Sequence, residues 1–161
     1  ADLPAWMSDN FPPPDPRQQR IARHATVVSV SSENKGEEGA KAVDGFPDTI
    51  WHSRWQGDQV PGYPHEIVVD LGETMKVKGI TILPRQDGVN GWISRYEVFV
   101  SEDGREWGDA VARGTFEQTK DRKRVDFESP TECRFVRFVA LEGFDGQVWA
   151  SMAELDVIPA P

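Results

Sequence analysis

The chain has 161 residues, with 18 basic and 27 acidic side chains, for a formal net charge of -9. That length suits one domain with a full apolar core, and the acidic balance argues against a nucleic-acid binder, which needs a basic face, and against attraction to anionic membranes. No apolar run is long enough to cross a bilayer, and one cysteine, Cys133, rules out an intrachain disulfide.

In chain order, residues 1–23 differ from the rest. Phe11-Pro12-Pro13-Pro14-Asp15-Pro16 lacks backbone donors and has fixed φ, so this stretch reads as an extended linker or tail, with Trp6 and Phe11 able to dock on the domain. Residues 24–161 read as one β domain. The chain starts at Ala1 without a visible signal peptide and reads as a mature or excised fragment. Thr26 to Val30 is short and β-branched. In Glu66 to Leu71, Ile67, Val69 and Leu71 share one face while Glu66 and Asp70 share the other, the period of a strand with one wet side. Val77 to Leu83, Tyr96 to Val100, Val125 to Phe127, Phe135 to Ala140 and Leu155 to Ile158 supply further strands, and Glu102-Asp103-Gly104 turns the chain. No long helical period is present. Seven or eight short strands predict an all-β sandwich. Cys133, Trp51 and Trp107 read as core residues, and Tyr63 and His65 as side chains that fix a loop.

The polar and aromatic residues between these strands fit a sugar site. A hexose has one apolar C–H face and a rim of hydroxyls, so its site needs an aromatic plate and a few fixed polar groups. Trp55 follows His52 by three residues after an Asp-Gly turn. Arg85 is a planar donor of several hydrogen bonds, and Asn90 offers both donor and acceptor. Asn90-Gly91 is also a turn signal, and the two roles are compatible. A serine-nucleophile elbow, a zinc-protease helix motif and a phosphate-cradling glycine loop are all missing, so the reading is a binding module and not an enzyme.

Four segments, Asp44-Gly45 through Thr49 to Trp51-His52, Leu83-Pro84-Arg85, Ser101-Glu102-Asp103-Gly104-Arg105-Glu106-Trp107, and Ala153-Glu154-Leu155, together resemble the discoidin, or coagulation-factor type C, family. Within it they are most similar to family 32 carbohydrate-binding modules. The resemblance runs from about Ala25 to Ile158. It implies a jelly-roll β-sandwich of the galactose-binding-domain-like type, with binding loops at one end. It implies that His52, Arg85 and Asn90 read the hydroxyls of a galactose or N-acetylgalactosamine residue, with Trp55, Trp149 and Phe144 as aromatic walls; Trp92 also lies near the Asn90 loop. It further implies a structural Ca2+ held by the carbonyls of Lys41, Phe46, Thr49 and Ala153 and the side chains of Asp44, Thr49 and Glu154. The expected partners are galactose-configured glycans and a tethered neighbouring domain of a secreted, periplasmic or cell-surface protein. The alternative is a discoidin-type adhesion module that uses the same loops for a protein partner.

Overall fold

The structure, a computed structural model, describes residues 25–161. The proline-rich segment and the docking of Trp6 and Phe11 lie outside the described residues. Eight strands follow in order: β1 (Thr26–Val30), β2 (Trp51–His52), β3 (His65–Leu83), β4 (Ile93–Ser101), β5 (Ala112–Thr115), β6 (Lys123–Gly143), β7 (Ser151–Met152) and β8 (Glu154–Pro159). One 3-10 turn, Gly39–Val43, stands between β1 and β2. No helix among the described residues is long and apolar enough to cross a membrane.

The sequence breaks β3 and β6 into short pieces, whereas the structure runs each through as one bent strand. The pieces are real, because the antiparallel β3–β6 ladder slips twice. Residues 71–74 of β3 stand opposite Arg134 alone, and Lys78 stands opposite residues 127–130. The slips are of opposite sense, so the register recovers, and extra residues at such bulges bend the pair. Before the bend β3 pairs with β1 and the second half of β6. After it, β3 pairs with β8 and the first half of β6. The bend thus folds one hydrogen-bonded ladder into the two layers of a sandwich, with β4 and β5 completing the first layer.

Side chains of both layers meet in one core that includes Trp51, Ile67, Leu71, Ile80, Val98 and Val136. Tyr96 stacks against both Phe116 and Phe138, with ring centroids 4.3 and 5.7 Å away, and those two rings also stack on each other. Cys133 is fully buried, and burial pushes its thiol up to about 12, so it is an inert apolar filler. The wet face of β3 carries Glu66 and Asp70 as its period requires. Each carboxylate takes two hydrogen bonds from an arginine of β6, Glu66 from Arg137 and Asp70 from Arg134.

Candidate functional site

Residues 149–153 assemble the site by joining three loops at one end of the sandwich. On one side, β7 pairs with β2, setting His52 opposite Ser151. Ser53 N donates to the Ala150 carbonyl (2.8 Å), and Ala150 N donates back to Ser53 Oγ (3.0 Å). On the other side, Ser151 N donates to the Gly91 carbonyl and Ser151 Oγ to the Asn90 carbonyl, each at 2.8 Å. Ala153 N donates to the Leu83 carbonyl at 2.8 Å, just ahead of the Arg85 loop.

His52 belongs to β2 and not to a loop, and only 2% of its surface is exposed. Its Nδ1 lies 2.7 Å from the Ser53 carbonyl. A carbonyl only accepts, so Nδ1 carries the proton and Nε2 keeps a lone pair. Burial above all holds the imidazole pKa below 6.5, and the positive charge of Arg85 acts in the same direction; the Ser53 bond and Glu37 oppose them. His52 is therefore a neutral acceptor at physiological pH. The Trp55 ring lies 6.4 Å from it at 73° and the Trp149 ring 6.5 Å from it at 50°. Trp55 is 45% exposed, and the exposed Val89 and Val148 lie on the other two loops. Three of the large apolar side chains left open to solvent among the described residues thus belong to this loop cluster.

Two residues that sequence reasoning passes over orient Trp55. Buried Asn34 accepts from Trp55 N (3.0 Å) and donates to Glu37 Oε1 (3.3 Å), which also accepts from Trp55 Nε1 at 2.9 Å. Arg85 directs its Nε to Asp87 Oδ1 at 2.6 Å, so this pair fixes the plane of the guanidinium. Its carbonyl accepts from Trp92 Nε1 at 2.9 Å, which ties Trp92 to the floor of the loop. Asp87, two residues after Arg85, was open to discovery from spacing. Glu37, inside the acidic run Glu33 to Glu38, gave no signal.

Asn90 and Gly91 form the centre of a turn closed by Trp92 N to the Val89 carbonyl. Gly91 has φ +86°, and a Cβ there would lie 2.5 Å from Ser151 Oγ. The turn and an exposed Asn90 side chain therefore coexist, as the sequence allows. Gly91→Ala is expected to destabilise the fold by about 1–3 kcal/mol, through a left-handed backbone and a steric clash, and to weaken ligand binding by displacing Asn90. Thermal melting and a ligand titration of the variant check this.

Phe144 lies next to the segment that joins the loops. It lines a shallow depression with Pro84, Trp92 and Phe116, next to Ser151. The loop bearing Trp149 is braced from below. Tyr63 Oη donates to the Trp149 carbonyl at 2.5 Å and His65 Nε2 donates to the Val148 carbonyl at 2.6 Å. Tyr63 and His65 thus fix a loop, in keeping with their sequence reading.

A second cluster lies at the other end of the β2 approach. Phe46 N donates to Asp44 Oδ1 (2.9 Å), and Thr49 Oγ1 donates to Asp44 Oδ2 (2.5 Å). Lys41 lies within the 3-10 turn just before, which Asp44 caps, and the Phe46 ring points outward, 61% exposed. Glu154, at the start of β8 after Ala153, is 6% exposed and its Oε1 has no hydrogen-bond partner. Burial, followed by the hydrogen bond to Asp44 and the charges of Asp156 and Asp44, pushes the Glu154 carboxyl up to about 10. Two carboxyls facing each other around an orphaned buried oxygen fit a hard cation. Among the described residues no three His, Cys, Asp or Glu side chains converge on a metal-sized space, so a cation here would lean on backbone carbonyls.

The chain is 41% identical over 141 residues to galactose oxidase of Gibberella zeae, covering 87% of this chain and 21% of that protein. It is 36% identical over 135 residues to a sialidase of Micromonospora viridifaciens, covering 82% of this chain and again 21% of the relative. It thus spans about a fifth of either one. Among solved structures, the family 32 module of C. perfringens NanJ in complex with galactose superposes with a TM-score of 0.75 at 35% identity, covering 85% of this chain and 95% of the module. A second Clostridium perfringens module, in complex with GalNAc-beta-1,3-galactose, gives 0.77 at 33% identity, covering 86% and 97%. The F5/8 type C domain model matches residues 25–155, the stretch that contains the bent β3–β6 ladder and all three loops, and the chain belongs to that family.

Proposed function

We propose that this chain is a non-catalytic module that holds the terminal galactose or N-acetylgalactosamine residue of a glycan at the loop end of the sandwich. The observation that carries this reading is the convergence of a neutral His52 acceptor, the exposed Trp55 ring and Trp149 on one spot, within the field of Arg85. Trp55 offers a plate for the apolar sugar face. His52 Nε2 accepts from a ring hydroxyl, and Arg85 and Asn90 supply donors to its neighbours. The galactose and GalNAc-galactose complexes of the two similar modules support the choice of sugar.

Sugar is bound and released without bond breaking. A shallow, open site of this kind holds one sugar with a dissociation constant roughly between 10 µM and 10 mM. Useful avidity then comes from tethering to an enzyme outside the cell that acts on the same glycans, as the galactose oxidase and sialidase relatives suggest. A glycan array on the isolated domain tests this. Binding to galactose-terminated glycans supports it; silence across all galactosides, together with capture of a protein ligand, would favour an adhesion module.

Acid should switch the site off. The ordinary imidazole value is 6.5 and His52 lies below it, and a hydroxyl donating to Nε2 favours the neutral ring further. Affinity is expected to stay flat from pH 8 to 6.5 and to fall at lower pH, as read by calorimetry. His65 is also held neutral by burial. Both histidines thus contribute stability that is complete above 6.5 and is lost as pH falls, so the melting temperature is recorded alongside.

We also propose that the second cluster holds a Ca2+ through the Asp44 and Glu154 carboxylates, Thr49, and the carbonyls of Lys41, Phe46 and Ala153. The ion would neutralise the two facing carboxylates and so secure the turn leading into β2 and His52.

A further inference from the structure

We propose that the site accepts uncharged galactose-configured residues and turns away their acidic derivatives, the uronates and sulfate esters, because the Glu37 carboxylate, without an ion-pair partner among the described residues, stands at the edge of the Trp55 plate. The inference rests on the galactoside reading above and adds to it the charge class of the ligand. Arg85 is the cation that faces the site, and Asp87 lies 2.6 Å from its Nε, so its charge is already matched. His52 donates Nδ1 to a backbone carbonyl and is buried, which keeps it neutral. Arg54 keeps its positive charge, but its guanidinium is turned to the Gln59 carbonyl of its own loop, and it is not among the charges felt at His52.

Glu37 and Arg85 are the charges felt at His52, and of the two Arg85 is the one with an ion-pair partner. Glu37 Oε1 takes hydrogen bonds from Trp55 Nε1 at 2.9 Å and Asn34 Nδ2 at 3.3 Å, both neutral donors. Among the described residues no lysine or arginine pairs with it. These donors settle the carboxylate at the edge of the aromatic plate, where its charge is felt at His52. A sugar hydroxyl can donate to such a carboxylate; a second anion can only be repelled by it. The excess of acidic residues, which gives the chain its net charge of -9, adds a long-range field of the same sign.

Isothermal titration with four ligands tests the proposal: methyl β-galactoside, the corresponding galacturonate, the methyl ester of that galacturonate, and galactoside 3-sulfate. Each is measured in about 20 mM and about 500 mM salt, because screening shortens the reach of exposed charges from tens of ångströms to a few. The galactoside and the ester are expected to bind alike. The galacturonate and the sulfate should bind at least about five-fold more weakly at low salt, and the gap should narrow at high salt. Galacturonate or sulfate binding as tightly as the galactoside would overturn the proposal, and so would a gap indifferent to salt, which would signal shape and not charge. If no galactoside binds at all, the functional reading falls with it. Equal binding of neutral and acidic ligands sinks this inference alone.

Discussion

Arg85→Ala is expected to abolish measurable galactoside binding and to leave the melting temperature within about 2 °C of the parent. A hydrogen bond from a charged donor contributes about 1.5–3 kcal/mol, and losing it weakens affinity by roughly ten- to a hundred-fold. From a starting constant near the millimolar range, the variant falls below detection. Stability is spared for structural reasons. The Asp87 partner is 77% exposed, so the broken ion pair is screened and worth little. The bond that Trp92 makes to residue 85 uses the backbone carbonyl, which alanine retains. Arg85→Lys should lose nearly as much affinity, since an ammonium cannot bond Asp87 through one nitrogen while presenting two others in a fixed plane. Calorimetry paired with thermal melting decides the matter; unchanged affinity would remove Arg85 from the site.

The second large effect concerns stability. Calcium in excess is expected to raise the melting temperature by about 6–10 °C. Ligand at one hundred times its dissociation constant contributes about 2.7 kcal/mol, and a domain of this size shifts by about 2–4 °C per kcal/mol. A chelator should reverse the shift, and Glu154→Gln should abolish it. The pH dependence follows from the raised carboxyl. Without metal, Glu154 contributes stability that is present below its ordinary 4.5 and is lost as pH rises toward 10. Bound calcium stabilises the ionised form and should flatten that decline. A melting temperature that ignores both calcium and chelator would refute the cation site.

Much of the architecture was legible because period two is a local property. Thr26 to Val30 and the alternation around Ile67 and Val98 survive unchanged in β1, β3 and β4. Their continuity was not legible. The slips opposite Arg134 and Lys78 depend on which strand lies alongside, and a single sequence does not record its partners. The two-residue strands β2 and β7 were missed for the same reason, since their pairing is made across the whole chain. At the site, residue type nominated His52, Trp55, Arg85 and Asn90, and the family resemblance added Trp149. The side chains that hold Trp55, those of Asn34 and Glu37, act through a backbone amide and one indole nitrogen, contacts that leave no pattern in sequence. Phe144 was nominated with the aromatic walls by the same resemblance, and it lines a depression together with Trp92 and Ser151.

The bent ladder also bears on how the domain comes apart. Because β3 and β6 each run through both layers, neither layer has its own complete set of edges, and a half-sandwich would leave two long strands with open amides. Melting is thereby forced into one concerted event, and the loops at the far tip are free to diversify by mutation without eroding the frame that carries them.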